Sequence, residues 1–122
     1  MNRILVVGAG GQIGTELVPH LQKLYGNENV IAGEVREDVV KKLNENCTAI
    51  QMNALDFEGF SKVVQKYEID SIYNLVALLS AKGEANPLLA WDINMGALLN
   101  SLKIAKEFKC KLFTPSSIQS LE

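Results

Sequence analysis

Five short apolar runs recur along the chain, separated by stretches in which apolar residues return at helical spacing. The first strand is expected at about Arg3–Val7, where Ile4-Leu5-Val6-Val7 has no polar interruption and reads as buried on both faces. A helix is predicted from about Gln12 to Tyr25, ended by Gly26-Asn27. Pro19 lies past its first turn, so a kink or a shifted boundary is expected there. Asn29–Gly33 reads as the second strand, and Asp38 as the cap of a short helix through Leu43. Thr48–Met52 is a third strand, followed by a helix over Phe57–Tyr67. Asp70–Ala77 holds the fourth strand with its outgoing loop, and Lys111–Thr114 the fifth. Strand alternating with helix implies one α/β domain whose parallel sheet is covered on both faces.

Asn86-Pro87 opens the longest helix, which continues to about Phe108; Asn suits the cap and Pro the first helical position. Leu88, Trp91, Met95, Leu98, Leu102 and Ala105 fall on one stripe, with Ile93, Ala97, Ile104 and Phe108 as a second apolar flank. A stripe this wide suits the sheet alone, or the sheet and a partner subunit together. Asn94 and Gly96 interrupt it. Glycine inside a helix costs about 1 kcal/mol relative to alanine. Asn94 is expected either to bond to something specific, such as a water at a distorted turn, or to face solvent.

The chemistry begins at Gly8-Ala9-Gly10-Gly11-Gln12-Ile13-Gly14, between the first strand and the first helix. A helix start offers backbone N–H groups without intrahelical partners and a partial positive charge. Glycines let the chain turn sharply and let a pyrophosphate approach. The spacing is Gly8-x-x-Gly11-x-x-Gly14, and alone it also fits an ordinary strand-to-helix turn. Glu34 ends the second strand, 20 residues past Gly14. A carboxylate there can accept hydrogen bonds from adenine-ribose hydroxyls, or be a solvated loop acid. Turn, spacing and acid together point to dinucleotide binding. Val35 and Arg36 follow in the same loop. Asp56 and Phe57 follow the third strand as candidate base contacts, and Asp56 as a helix cap. Leu75 and Ala77, at the exit of the fourth strand, should border the same crevice.

Composition narrows the partners. The 122 residues are 48% hydrophobic and 21% charged with net charge −2, which leaves no electrostatic footprint for nucleic acid. No apolar stretch reaches the roughly 18 residues needed to span a membrane, and no signal peptide is evident. Cys47 and Cys110 form no C-x-x-C pair. They read as small buried hydrophobes in a reducing, cytoplasmic compartment rather than as metal ligands or a disulfide. His20 has no motif partner and reads as a plain helix histidine.

Together these residues resemble the extended short-chain dehydrogenase/reductases, the superfamily of the nucleotide-sugar epimerases and dehydratases. The shared features are Gly8/Gly11/Gly14, Glu34, Asp56, Asn94 in the long helix and Ser117 after the fifth strand. Within that group, LLSAKGEANPLLAWDINMGALLN (Leu78 to Asn100), GGQIGTEL, YGNENVIAGEVRE and FTPSSI are similar to short-chain L-threonine 3-dehydrogenases. The resemblance runs from Met1 to about Ile118. It implies a Rossmann-type sheet of order 3-2-1-4-5, NAD as cofactor, and an oxidoreductase of threonine catabolism; separately, an open edge at Lys111–Thr114 and the apolar stripe of the long helix predict a homodimer or larger species. The reaction implied is oxidation of L-threonine at its 3-hydroxyl to 2-amino-3-ketobutyrate. Ser80 would then face the small-molecule substrate, and Ser117 would hydrogen-bond the reacting oxygen as a catalytic residue.

The same resemblance calls for a Tyr-x-x-x-Lys pair as acid/base. The three tyrosines here are followed four residues later by Asn29, Ser71 and Ala77, so the pair is missing. Val76 replaces a usually small residue beside the cofactor, and Ile118–Glu122 replaces the family's aromatic-Gly continuation. The expectation is therefore an incomplete domain: the cofactor-binding front of an enzyme, as a fragment or a prematurely ended product, without its substrate lobe. It should bind NAD without turnover. A fragment of a nucleotide-sugar epimerase or dehydratase and a noncatalytic dinucleotide-binding module are the competing readings.

Overall fold

The computed structural model describes residues 3–76 and 87–114, with the backbone alone at Gln12, at 87–91 and at Asn94. Five parallel strands, β1 (Ile4–Val7), β2 (Val30–Glu34), β3 (Thr48–Gln51), β4 (Ser71–Asn74) and β5 (Lys111–Phe113), form one sheet of order β3-β2-β1-β4-β5. Among the described residues four helices connect them: α1 (Gln12–Tyr25), α2 (Glu37–Leu43), α3 (Phe57–Lys66) and α4 (Pro87–Phe108). The predicted strand order is the observed one. β1 is central, with Ile4 opposite Val30 on one side and Ser71 on the other, which is why its four residues are all buried.

Side-chain alternation along each strand splits the core in two. Ile4, Val6, Val30 and Ala32 pack with Val18 and Leu21 of α1 and Val40 of α2. Leu5, Val7, Ile31 and Ile72 pack with Phe60 and Val64 of α3 and Ala97 and Ile104 of α4. A central strand apolar at every position is the expected signature of a sheet with helices on both faces.

Several boundaries move for identifiable reasons. Asn27–Asn29 forms a 3-10 turn after Gly26, whose φ of 97° suits glycine, so β2 starts at Val30. β2 keeps Glu34, which pairs with Gln51. α2 is headed by Arg36 rather than capped by Asp38, which lies inside the first turn. α1 continues through Pro19 to Tyr25, so the expected boundary shift does not occur. α4 also differs from its predicted face. Ala97, Ser101 and Ile104 are fully buried, while Leu102 is 50% exposed. Among the described side chains, the second flank rather than the first stripe meets the sheet. Both cysteines are free and only half-buried, not core residues, with thiols donating to the carbonyls of Leu43 and Ile69.

Candidate functional site

The glycine turn is built by backbone contacts. The N–H groups of Gly8 and Ala9 both donate to the Gly33 carbonyl, at 2.9 and 3.2 Å, which ties the turn to β2. Gly8 has φ +82°, a region that side chains disfavour. A Cβ on Gly14 would lie 2.4 Å from the Ala9 oxygen and 2.7 Å from its Cα, so only glycine lets α1 start this close to the turn. Gly11 caps α1 in extended conformation, and the Thr15 N–H donates to its carbonyl at 2.9 Å. Ile13 is half-exposed on the first turn.

Glu34 closes the other side. Its carboxylate accepts from the Gly10 N–H and the Val35 N–H, each at 2.9 Å, and the residue is only 9% exposed. A carboxylate has about four lone-pair sites, so accepting two backbone donors fixes its position and leaves acceptor capacity. A Cβ on Gly10 would lie 2.8 Å from that carboxylate and 2.4 Å from Val39, so Gly10 is what lets Glu34 reach the turn.

Between these elements lies a crevice of about 340 Å³ lined by Gly8, Gly33, Glu34, Val35, Arg36, Met52, Asn53, Ala54, Leu55, Val76 and Ile93, with Val7 at its base. It opens at the carboxyl ends of the strands, beside β1, where the strand order reverses between β2 and β4. That position is where open α/β sheets hold ligands. Gln51 donates its side-chain amide to the Val35 carbonyl at 3.0 Å, pinning the β2 exit to β3.

The wall opposite Glu34 explains Gly96. A Cβ there would lie 2.7 Å from Leu55 Cδ2, so the glycine lets the β3–α3 loop close onto α4. Asn100 completes the contact by donating to the Ala54 carbonyl at 2.8 Å. Beneath, Asn74 at the end of β4 donates to Ser101 Oγ at 3.2 Å and accepts from the Val76 N–H at 3.1 Å. Ser101 in turn donates to the Ala97 carbonyl at 2.8 Å.

Of the residues singled out in the sequence, Gly8, Glu34, Val35 and Arg36 meet at this crevice. Asp56 lies further along its loop, with its carboxylate 2.6 Å from the Cβ position of Gly59 at the start of α3. Phe57 beside it is 36% exposed. Leu75 is buried and donates its N–H to the Val7 carbonyl at 2.8 Å. Ala77, Ser80 and Ser117 lie outside the described residues, as do the side chains of Gln12 and Asn94. Met52–Leu55 and Ile93 are wall residues that motif reading missed. For Met52–Leu55 the signal was the position after β3, which also yielded Asp56. A second cavity of about 300 Å³ lies between α1 and α2, lined by Val18, Pro19, Val39, Leu43 and Cys47 among others. Burial raises the Cys47 thiol pKa, and burial followed by the Asp70 charge raises that of Cys110. Among the described residues no acidic, histidine or cysteine cluster could hold a metal ion, and no helix is long and apolar enough to cross a membrane.

A parallel sheet of this order, with its glycine turn after the first strand and its crevice at the reversal point, is a Rossmann-type α/β domain. The chain belongs to the NAD-dependent epimerase/dehydratase family, whose model matches residues 4–120. An uncharacterized epimerase/dehydratase of Staphylococcus saprophyticus is 44% identical over 118 residues, covering 97% of this chain and 37% of the relative. The L-threonine dehydrogenase of Clostridium difficile matches at 39% identity and TM-score 0.79, covering 93% of this chain and 36% of that one. L-threonine 3-dehydrogenase of Trypanosoma brucei matches at 35% identity and TM-score 0.82, over 93% and 36%. The chain thus spans little more than a third of the proteins it matches.

Proposed function

We infer that this chain is the NAD-binding portion of an L-threonine 3-dehydrogenase-like oxidoreductase, and that alone it binds NAD without oxidising L-threonine. The observation that carries the reading is the crevice at the strand-order reversal, with Glu34 held on its rim by the glycine turn. The close backbone approach at Gly14 and the positive φ of Gly8 fit a turn built for a pyrophosphate. The similarity to threonine dehydrogenases at 35–39% identity supports the substrate class.

Glu34 would accept hydrogen bonds from the adenine-ribose hydroxyls, and the amides of the glycine turn would face the pyrophosphate. Bound NAD would supply the hydride acceptor. Ser117 would hydrogen-bond the substrate oxygen and Ser80 would border the substrate. A general base for the alcohol proton is what the chain lacks, since no tyrosine has a lysine four residues on. Positioned acid/base catalysis is worth about 10²–10⁴-fold, and a substrate lobe adds an orientation contribution on the order of 7–11 kcal/mol in favourable systems.

Calorimetric titration with NAD and NADP tests the cofactor, and NADH absorbance with saturating L-threonine tests turnover. NAD binding tighter than NADP, with no NADH formed, is expected. Tighter NADP binding would contradict the role given to Glu34. Steady NADH formation lost in Ser117→Ala would show that the 122 residues contain a base after all. The reading also includes a homodimer and a cytoplasmic setting. Leu99 and Leu102 stand half-exposed on α4, and β5 is an edge of the described sheet. Light scattering at high concentration is expected to give a dimer or larger species, and a strict monomer would count against it.

A further inference from the structure

Glu34 would account for a preference for NAD, but Arg36 stands on the same crevice and carries the opposite charge. A guanidinium there could pair with a ribose 2′-phosphate and cancel the preference. Its surroundings decide whether it is free to do so. The Arg36 carbonyl accepts the Val40 N–H at 3.0 Å, which fixes the residue at the head of α2. Its Nη2 donates to Asp38 Oδ2 at 3.1 Å, two residues on. The two neighbouring acids are engaged elsewhere. Glu37 pairs with Lys41 at 3.8 Å, and the Glu34 carboxylate is held in place by two backbone N–H groups.

We propose that Asp38 is a specificity-determining positioning residue: it holds the Arg36 guanidinium beside α2 and so withholds from NADP the one cation found among the described residues of the crevice wall. Discrimination then has two layers. Glu34 repels a 2′-phosphate at the strand end, and Asp38 occupies the group that could otherwise compensate. The inference rests on reading the crevice as a dinucleotide site. Both partners are about 70% exposed, at 72% and 70%, so the pair is an exposed one. Such pairs are worth little each, which sets the expected effect at about two- to fivefold in affinity.

The test is calorimetric titration of the intact chain and of Asp38→Asn with NAD and with NADP. Asp38→Asn is expected to tighten NADP binding about two- to fivefold while NAD affinity stays as in the parent. The gain should vanish in an Arg36→Gln background and shrink at 1 M salt, where screening acts within roughly 3 Å. A parent that binds NAD, with NADP affinity unchanged in Asp38→Asn, overturns the role of Asp38 and leaves the NAD reading intact. So does equal tightening of both dinucleotides, or a gain that survives Arg36→Gln. A parent that binds neither dinucleotide overturns both.

Discussion

The two flanks of the crevice are fixed by different means. On the glycine-turn side, β1, α1 and β2 meet through main chain: Gly8 and Ala9 bond to Gly33, and Gly14 lies against Ala9. At Gly14 the neighbour is backbone, which has little room to shift, so an added atom there is poorly tolerated. On the α4 side the fit is made by side chains. Leu55 rests on Gly96, Asn100 reaches Ala54, and Asn74 bonds to Ser101. Side chains can swing or be replaced, so this flank should bend before it breaks. The comparison teaches where rigidity lies: in the part that would meet a dinucleotide's phosphates, not in the wall facing it.

Gly14→Ala should give the largest effect. Its Cβ meets the Ala9 backbone, and overpacking of this kind costs about 3 kcal/mol. Urea unfolding should show the loss, and a midpoint shift no larger than that of a surface alanine would break the comparison. Ser101→Ala comes next. It strands the Asn74 amide in a site that is 1% exposed, at a cost of about 1–3 kcal/mol, measured in the same way. Gly96→Ala should be nearly neutral in stability. Helix propensity returns about 1 kcal/mol, and the neighbour that must shift is the flexible end of Leu55. The displaced Leu55 should instead narrow the crevice and weaken NAD binding in calorimetry. A large stability loss with unchanged binding would reverse the assignment of the two flanks. The smallest effect concerns the thiols. Raised pKa values leave little thiolate near neutral pH, so iodoacetamide should modify Cys47 and Cys110 slowly and faster as pH rises. The sign follows from burial: the folded chain holds these protons more tightly than the unfolded one, so alkaline pH should also erode stability.

The glycine-turn flank was also the more legible from sequence. Short apolar runs marked the strands, alternation with helices gave a parallel sheet, and the family resemblance supplied the strand order. Gly8 and Gly14 announced themselves because backbone geometry restricts residue choice there, and Glu34 because a carboxylate at the strand end 20 residues past Gly14 suits ribose hydroxyls. The face of α4 was not legible. Ile93, Ala97, Leu98, Leu99 and Leu102 make that helix apolar on nearly every side, so periodicity could not choose which stripe met the sheet. Gly96 read as a misfit because its reason, Leu55, lies 41 residues away in sequence. Asp38 read as a cap because capping residues and first-turn acids share one composition. Arg36 took the heading position instead.

Amide chemical-shift mapping of the NAD titration tests the central claim most directly. The account predicts that shifts cluster at Gly8–Gly11, Glu34–Arg36 and Met52–Leu55, around one crevice. Shifts confined to Val18, Leu43 and Cys47, in the cavity between α1 and α2, or no shifts at millimolar NAD, would contradict it.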